Sequence, residues 1–210
     1  MIPERLGATL SRLLPHLDSG RIALTGGVAV GLHLGARCGE RARGLAADDV
    51  DLVASGVDAV HPGVTAGFLV SHFHLPHPGY AKFLVQLADP VTRLRVDLFP
   101  DSLHALARAA VMDVAGVPLR VLAPDDILEH KLATLAKASA AHPAEPKHFE
   151  DARRLAALCG RPVPPVPAAH LGAATYSRDV DAVCARCEAS RCAAFPLAPR
   201  REILDVLGYV

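Results

Sequence analysis

The sequence predicts an α+β fold in which a mixed β-sheet is flanked by helices and followed by a C-terminal helical region. Three observations carry this expectation. Leu6, Leu10, Leu13, Leu14 and Leu17 recur at helical spacing near the start, which predicts an amphipathic helix over residues 3–17 ending before Asp18-Ser19-Gly20. Several short apolar stretches separated by turn residues then alternate with the period of strands. Beyond residue 123, two stretches open on proline and carry apolar stripes in the manner of helices.

The elements follow in order. Arg21 to Leu24 is a short apolar approach to Gly26-Gly27, after which Val28, Val30, Leu32 and Leu34 fit a buried helix running to about Gly35. A polar, Arg-rich loop over 37–47 precedes a strand over 49–54. Phe68 to His74 alternates as a strand, and Tyr80 to Leu87 and Thr92 to Phe99 form a hairpin turning at Ala88-Asp89-Pro90-Val91. Ala110 to Leu122 reads as a second hairpin turning at Ala115-Gly116. Pro124-Asp125-Asp126 opens a helix, with acids in its first turn, that carries Ile127, Leu128, Lys131, Leu132 and Leu135. Another helix runs from Pro146 to Leu158 and stops at Cys159-Gly160. The proline-rich connector Arg161 to Pro167 leads to a cysteine-bearing helix and a last helix over 200–207. The expected division is a core over 1–123, a helical extension over 124–160 that completes a cleft, and the connector with its helices over 161–210.

Composition narrows the class. The 210 residues, 51% hydrophobic, suffice for one domain with a helical appendage. Lys and Arg number 22, as do Asp and Glu, so no global field draws the chain to nucleic acid or an anionic membrane, although Arg41, Arg43, Arg153 and Arg154 could form a local patch. The most apolar stretch, Ile22 to Ala36, is interrupted by glycines and His33 and falls short of the roughly 20 residues that span a bilayer. Glu4, Arg5, Arg12 and Pro15 break up the continuous apolar segment that a signal peptide needs, so the expected location is the cytoplasm.

The candidate site centres on Asp49 and Asp51, which a strand puts on one face while Val50 and Leu52 turn to the core. Two like charges side by side are costly unless a cation neutralises them. Mg²⁺ suits a few carboxylates together with substrate phosphates. Two other stretches converge on the pair, Leu24-Thr25-Gly26-Gly27 upstream and Arg95-Val96-Asp97-Leu98-Phe99 downstream. In the second, Leu94, Val96 and Leu98 share one face and Arg95, Asp97 and Phe99 the other. A carboxylate between Val96 and Leu98 needs a partner: either a metal shared with Asp49 and Asp51, or a salt bridge to Arg95 or Arg93.

Five cysteines, clustered late, do not form a secreted disulfide framework. Cys184, Cys187 and Cys192 lie close enough to share a metal, with His170 or Cys159 as a fourth ligand, but Cys184 and Cys187, with Val180 and Val183, also fit the buried stripe of a helix. The expectation is that they hold no zinc. His72, His74 and His77 read as a polar strand edge and loop rather than a second metal cluster.

On these residues the chain resembles the nucleotidyltransferase superfamily with a DNA polymerase beta-like fold. The shared pattern is an apolar stretch with Gly26-Gly27, then Asp49-Val50-Asp51 on one strand and Asp97 on another. Within the superfamily, Leu24 to Val30 and Asp49 to Leu52 are most similar to AbiEii-type abortive-infection toxins and related bacterial nucleotidyltransferase-like proteins. Leu128-Glu129-His130-Lys131 and Lys147-His148 with Asp151 are similar to the helical motifs of that group. Val28 stands where that group carries a small hydroxyl residue, and Leu45-Ala46-Ala47-Asp48 where relatives carry Arg-x-Thr.

The resemblance implies a nucleotidyltransferase-like sheet and transfer of a nucleoside monophosphate from a triphosphate to a hydroxyl on a protein, tRNA or small molecule. It implies two Mg²⁺ ions held by Asp49 and Asp51, with Asp97 completing the metal site on the acceptor side. Gly26, Gly27 and Lys131 would bind the nucleotide, with Thr25 and Asp151 as lesser members. A cognate antitoxin or toxin partner follows from the same likeness. Lys131→Met is then expected to weaken triphosphate binding at unchanged melting temperature. For Asp151 an i,i+4 pair with Lys147 is the other account. Two further functions stay open, a catalytically inactive copy of the fold acting as a binding or antitoxin-like module, and a zinc-stabilised interaction protein.

Overall fold

The computed structural model describes residues 2–38, 49–74 and 83–172. Cys184, Cys187 and Cys192, expected to hold no zinc, the two last expected helices, Arg41, Arg43 and His77 lie outside them. The fold is α+β, with a seven-stranded mixed sheet flanked by helices. In chain order the elements are α1 (Ile2–Leu13), β1 (Ile22–Thr25), α2 (Gly26–Cys38), β2 (Asp49–Ala54), β3 (Leu69–His74), β4 (Leu84–Ala88), β5 (Arg95–Pro100), β6 (Ala110–Val114), β7 (Val117–Val121), α3 (Pro124–Lys137) and α4 (Pro146–Cys159). The strands lie in the order β3-β4-β5-β2-β1-β7-β6. β2 pairs with β5, and β1 with β7, in parallel; the other four pairings are antiparallel.

The central strands are buried on both faces except where acids interrupt them. β1 is buried throughout, whereas β2 alternates at its start, Asp49 and Asp51 half-buried and Val50 and Leu52 fully enclosed. This is the parity the sequence predicts. α2 packs on β1 and β2 and against α3 and α4, and His33 Nε2 lies 2.8 Å from the Leu122 carbonyl, tying α2 to the start of α3. Among the described residues no helix is long and apolar enough to cross a membrane.

Two helix ends differ from expectation. The first helix stops at Leu13 and tightens into a 3₁₀ turn, Leu14–His16, because Pro15 has no N–H to continue the α-helical ladder. α2 runs on to Cys38, past Gly35, since an isolated glycine weakens a helix without ending it. The hairpin at Ala115-Gly116 forms as predicted, both residues adopting positive φ (55° and 85°), the twist that two-residue hairpin turns require.

α1 is pinned to the β4–β5 turn by buried polar groups. Asp89, fully buried, accepts hydrogen bonds from Thr9 Oγ1 (3.2 Å) and the Val91 amide (2.9 Å) and pairs with Arg12 at 3.2 Å. Arg12 also donates to the Gly67 carbonyl and covers the Phe68 ring. A buried carboxylate keeps its charge only with such partners. The proline connector, in turn, packs back on the helices: Val163, Val166 and Leu171 touch the core, and Leu171 bridges to Ala144.

Candidate active site

Register brings together what the sequence leaves apart. Thr25 lies opposite Asp51, Asp51 opposite Asp97, and Asp97 opposite Gln86, so one row crosses β1, β2, β5 and β4. Residues directly opposed in a sheet point to the same face. Asp49, two positions before Asp51, shares that face and lies opposite Arg95. All three acids therefore converge on one side of the sheet. A cleft of roughly 130 Å³ opens there, lined by the acids and Arg95 below and by Gly27, Lys131, Lys147, His148 and Asp151 from the helices.

The two glycines do different things. Gly26 starts α2 with φ of 66°, and a side chain there would run into the Asp51 carboxylate. Its missing Cβ thus makes room for an acid of the site. Gly27 has open space around it and lines the cleft, so the α2 N-terminus is the part accessible to an anion.

Arg95 stands between two of the acids. Its Nη2 lies 3.0 Å from Asp49 Oδ2 and 2.9 Å from Asp97 Oδ2, bridging both carboxylates, and Gln86 Nε2 donates to the other Asp97 oxygen at 3.1 Å. The salt bridge offered as an alternative for Asp97 is therefore present, and it reaches Asp49 as well. Asp51 has no such pairing among the described residues. Burial, reinforced by repulsion from Asp49 and Asp97, pushes its carboxyl up to about 7 against the attraction of Lys131 and Arg95. Asp97 is also raised by burial, with Arg95 opposing and Asp49 adding to the shift.

On the helical side Lys131 is only 7% exposed and donates to Asp151 Oδ2 at 2.8 Å, with His148 Nδ1 at 3.4 Å. This corrects two expectations. Asp151 pairs with Lys131 across the helix pair and not with Lys147, whose ammonium lies 3.5 Å from Glu145. And Lys131 is part of a buried ion pair, so its removal must cost stability. Burial, then the Lys131 charge, lowers His148 to about 4, so its imidazole is neutral at pH 7.

The sequence does not mark Gln86 or His148 as site residues in their own right. Gln86 becomes visible only through its register with Asp97, and His148, which the sequence offers only as part of a motif, enters the cleft through the packing of α4 on α3. Elsewhere, Cys159 is a half-buried thiol at the end of α4, and His72 is exposed on β3. Among the described residues no three His, Cys, Asp or Glu side chains are already gathered as a metal-binding group.

No protein-family model matches the chain, and no curated protein matches it either. Solved structures do. One is an antigenic nucleotidyltransferase-like protein from Paracoccidioides brasiliensis, 16% identical over 93% of this chain and 91% of that one, with a TM-score of 0.43. Another is ANT(2'')-Ia in complex with adenylyl-2''-tobramycin, 19% identical over 89% of this chain and 98% of that one, TM-score 0.45. A third is the Megavirus polyadenylate synthase, 10% identical over 91% of this chain but 43% of that one, TM-score 0.48. With TM-scores below 0.5 these likenesses assign no family to the chain.

Proposed function

We propose that the cleft transfers a nucleoside monophosphate from a nucleoside triphosphate to a hydroxyl acceptor on a protein, tRNA or small molecule. The observation that carries this is the register that sets Asp51 beside Asp97 and turns Asp49 to the same face, at the N-terminus of α2. The acceptor oxygen attacks the α-phosphorus, the bond from that phosphorus to the β-phosphate bridging oxygen breaks, and pyrophosphate leaves. Asp97, held by Gln86, receives the acceptor proton. The α2 N-terminus at Gly27 faces the phosphates, and the helices of residues 124–160 complete the cleft, with Lys131 fixed on Asp151.

The donors fit Mg²⁺. They are oxygens only, substrate phosphates can complete the coordination, and Asp51 forms no salt bridge of its own among the described residues. Asp49, Asp51 and Asp97 would hold the metal, which supplies electrostatic stabilisation of the attacking and leaving oxygens. The finer likeness to AbiEii-type toxins supports a place in a toxin–antitoxin pair.

Arg95 favours a second reading, in which Asp49 and Asp97 are already paired and the fold is a catalytically inactive binding or antitoxin-like module. Incubation with each α-labelled triphosphate, Mg²⁺ and a cell extract decides. Label on one class of acceptor, lost in Asp51→Asn and Asp97→Asn, supports transfer. Absence of label with all four triphosphates leaves the inactive module.

A further inference from the structure

We infer that Arg95 is a built-in counter-cation that keeps divalent metal out of the nucleotide-free cleft and releases Asp49 and Asp97 when a triphosphate arrives. This rests on the metal-dependent reading of the cleft above. One nitrogen, Nη2, stands between an oxygen of Asp49 and an oxygen of Asp97 at 3.0 and 2.9 Å. A Mg²⁺ ion shared by those two oxygens needs contacts of about 2.0–2.1 Å, and so needs the space between them. Guanidinium and ion cannot both have it.

To admit the ion the arginine cannot stay where it stands. It must move. Its Nε is buried without a hydrogen-bond partner among the described residues, so at least one donor of the group is unused where it stands. A triphosphate offers what is missing, anionic oxygens spaced for two parallel N–H donors. The other buried cation of the cleft, Lys131, is already committed to Asp151. Transfer of Arg95 from the carboxylates to phosphate would therefore free two acids for metal and satisfy the guanidinium in one movement. Metal and triphosphate then bind cooperatively, each weak without the other.

The test is Mn²⁺ binding, followed by calorimetry and by electron paramagnetic resonance, with and without a non-hydrolysable triphosphate. Wild-type protein is expected to bind Mn²⁺ at least about tenfold more tightly with the analogue than alone. Arg95→Gln is expected to bind Mn²⁺ alone about tenfold more tightly than wild type. Lys147→Gln removes a charge that lines the same cleft without bridging the acids, and is expected to shift the affinity less than about threefold. Should Arg95→Gln not fold, Arg95→Lys serves, since its shorter side chain stops short of the point that Nη2 occupies between the two oxygens; it is expected to gain at least about threefold. Equal affinity in wild type and the Arg95 variant, or an equal gain in Lys147→Gln, overturns the inference. If wild type binds Mn²⁺ equally well with and without the analogue, the inference falls while the metal reading stands. If no variant binds Mn²⁺ even with the analogue, both fall together.

Discussion

Gly26 and Asp51 fit against each other only because Gly26 has no side chain. The glycine also holds a φ of 66°, which side chains disfavour. Gly26→Ala is therefore expected to lose about 2–4 kcal/mol, combining backbone strain with displacement of the carboxylate. Its neighbour Gly27, with open space at the same point, should accept alanine and gain roughly 0.5 kcal/mol from reduced chain entropy. Urea denaturation of the two variants measures both. Similar losses at the two positions would contradict the close fit.

The Lys131–Asp151 pair joins α3 to α4. Lys131→Met strands a partly buried carboxylate and is expected to cost about 2 kcal/mol, less than a fully buried pair because Asp151 keeps 22% of its side-chain surface. Adding Asp151→Leu should recover about half of that loss. A double-mutant cycle by thermal denaturation reads the coupling; purely additive losses would show the pair to be independent.

Asp51 gives the protein a stability that falls as pH rises. Its folded carboxyl, raised to about 7, stays protonated where the unfolded chain has already ionised near pH 4, so the folded state binds more protons in between. Stability is lost across that window and levels off above it. In chelated buffer, Asp51→Asn should exceed wild type by about 2 kcal/mol at pH 8 and match it near pH 4, the cleft-facing surface of the carboxylate moderating the effect. Denaturation at four or more pH values checks the slope. A constant difference would assign it to something other than ionisation.

His148 acts in the opposite direction. Burial and the Lys131 charge lower its imidazole to about 4, so the unfolded chain takes up its proton first as pH falls below 6.5. The stability it contributes is fully present above that value and lost as pH drops towards 4. His148→Gln is expected to flatten this acid limb, by about 1–2 kcal/mol at pH 4.5. Nuclear magnetic resonance of the imidazole would follow the same event directly, and a midpoint near 6.5 would remove the basis for the prediction.

The face of each acid is legible in the sequence because strand parity is local: Asp49-Val50-Asp51 and Val96-Asp97-Leu98 each declare which side is apolar. The distance between the strands is not legible. Register depends on pairing between segments far apart in the chain, and that register is what aligns Asp51 with Asp97 and brings Gln86 to the row. Arg95 shows the limit well. Its face follows from counting along β5, but its reach to Asp49 follows only from the parallel partner strand. Lys131 is similar, since the α3 stripe places it beside the core while the packing of α4 supplies Asp151.

The strand order also governs how the chain can fold as it is made. β1 emerges early yet lies between β2 and β7, so one of its edges stays bare until Val121 has left the ribosome. Asp89, too, is satisfied only after α1 has waited for the β4–β5 turn. Closure that joins such distant segments is slow, and an apolar strand left open during synthesis is a template for mispairing. The centre of the sheet is thus complete only once the second hairpin is in place.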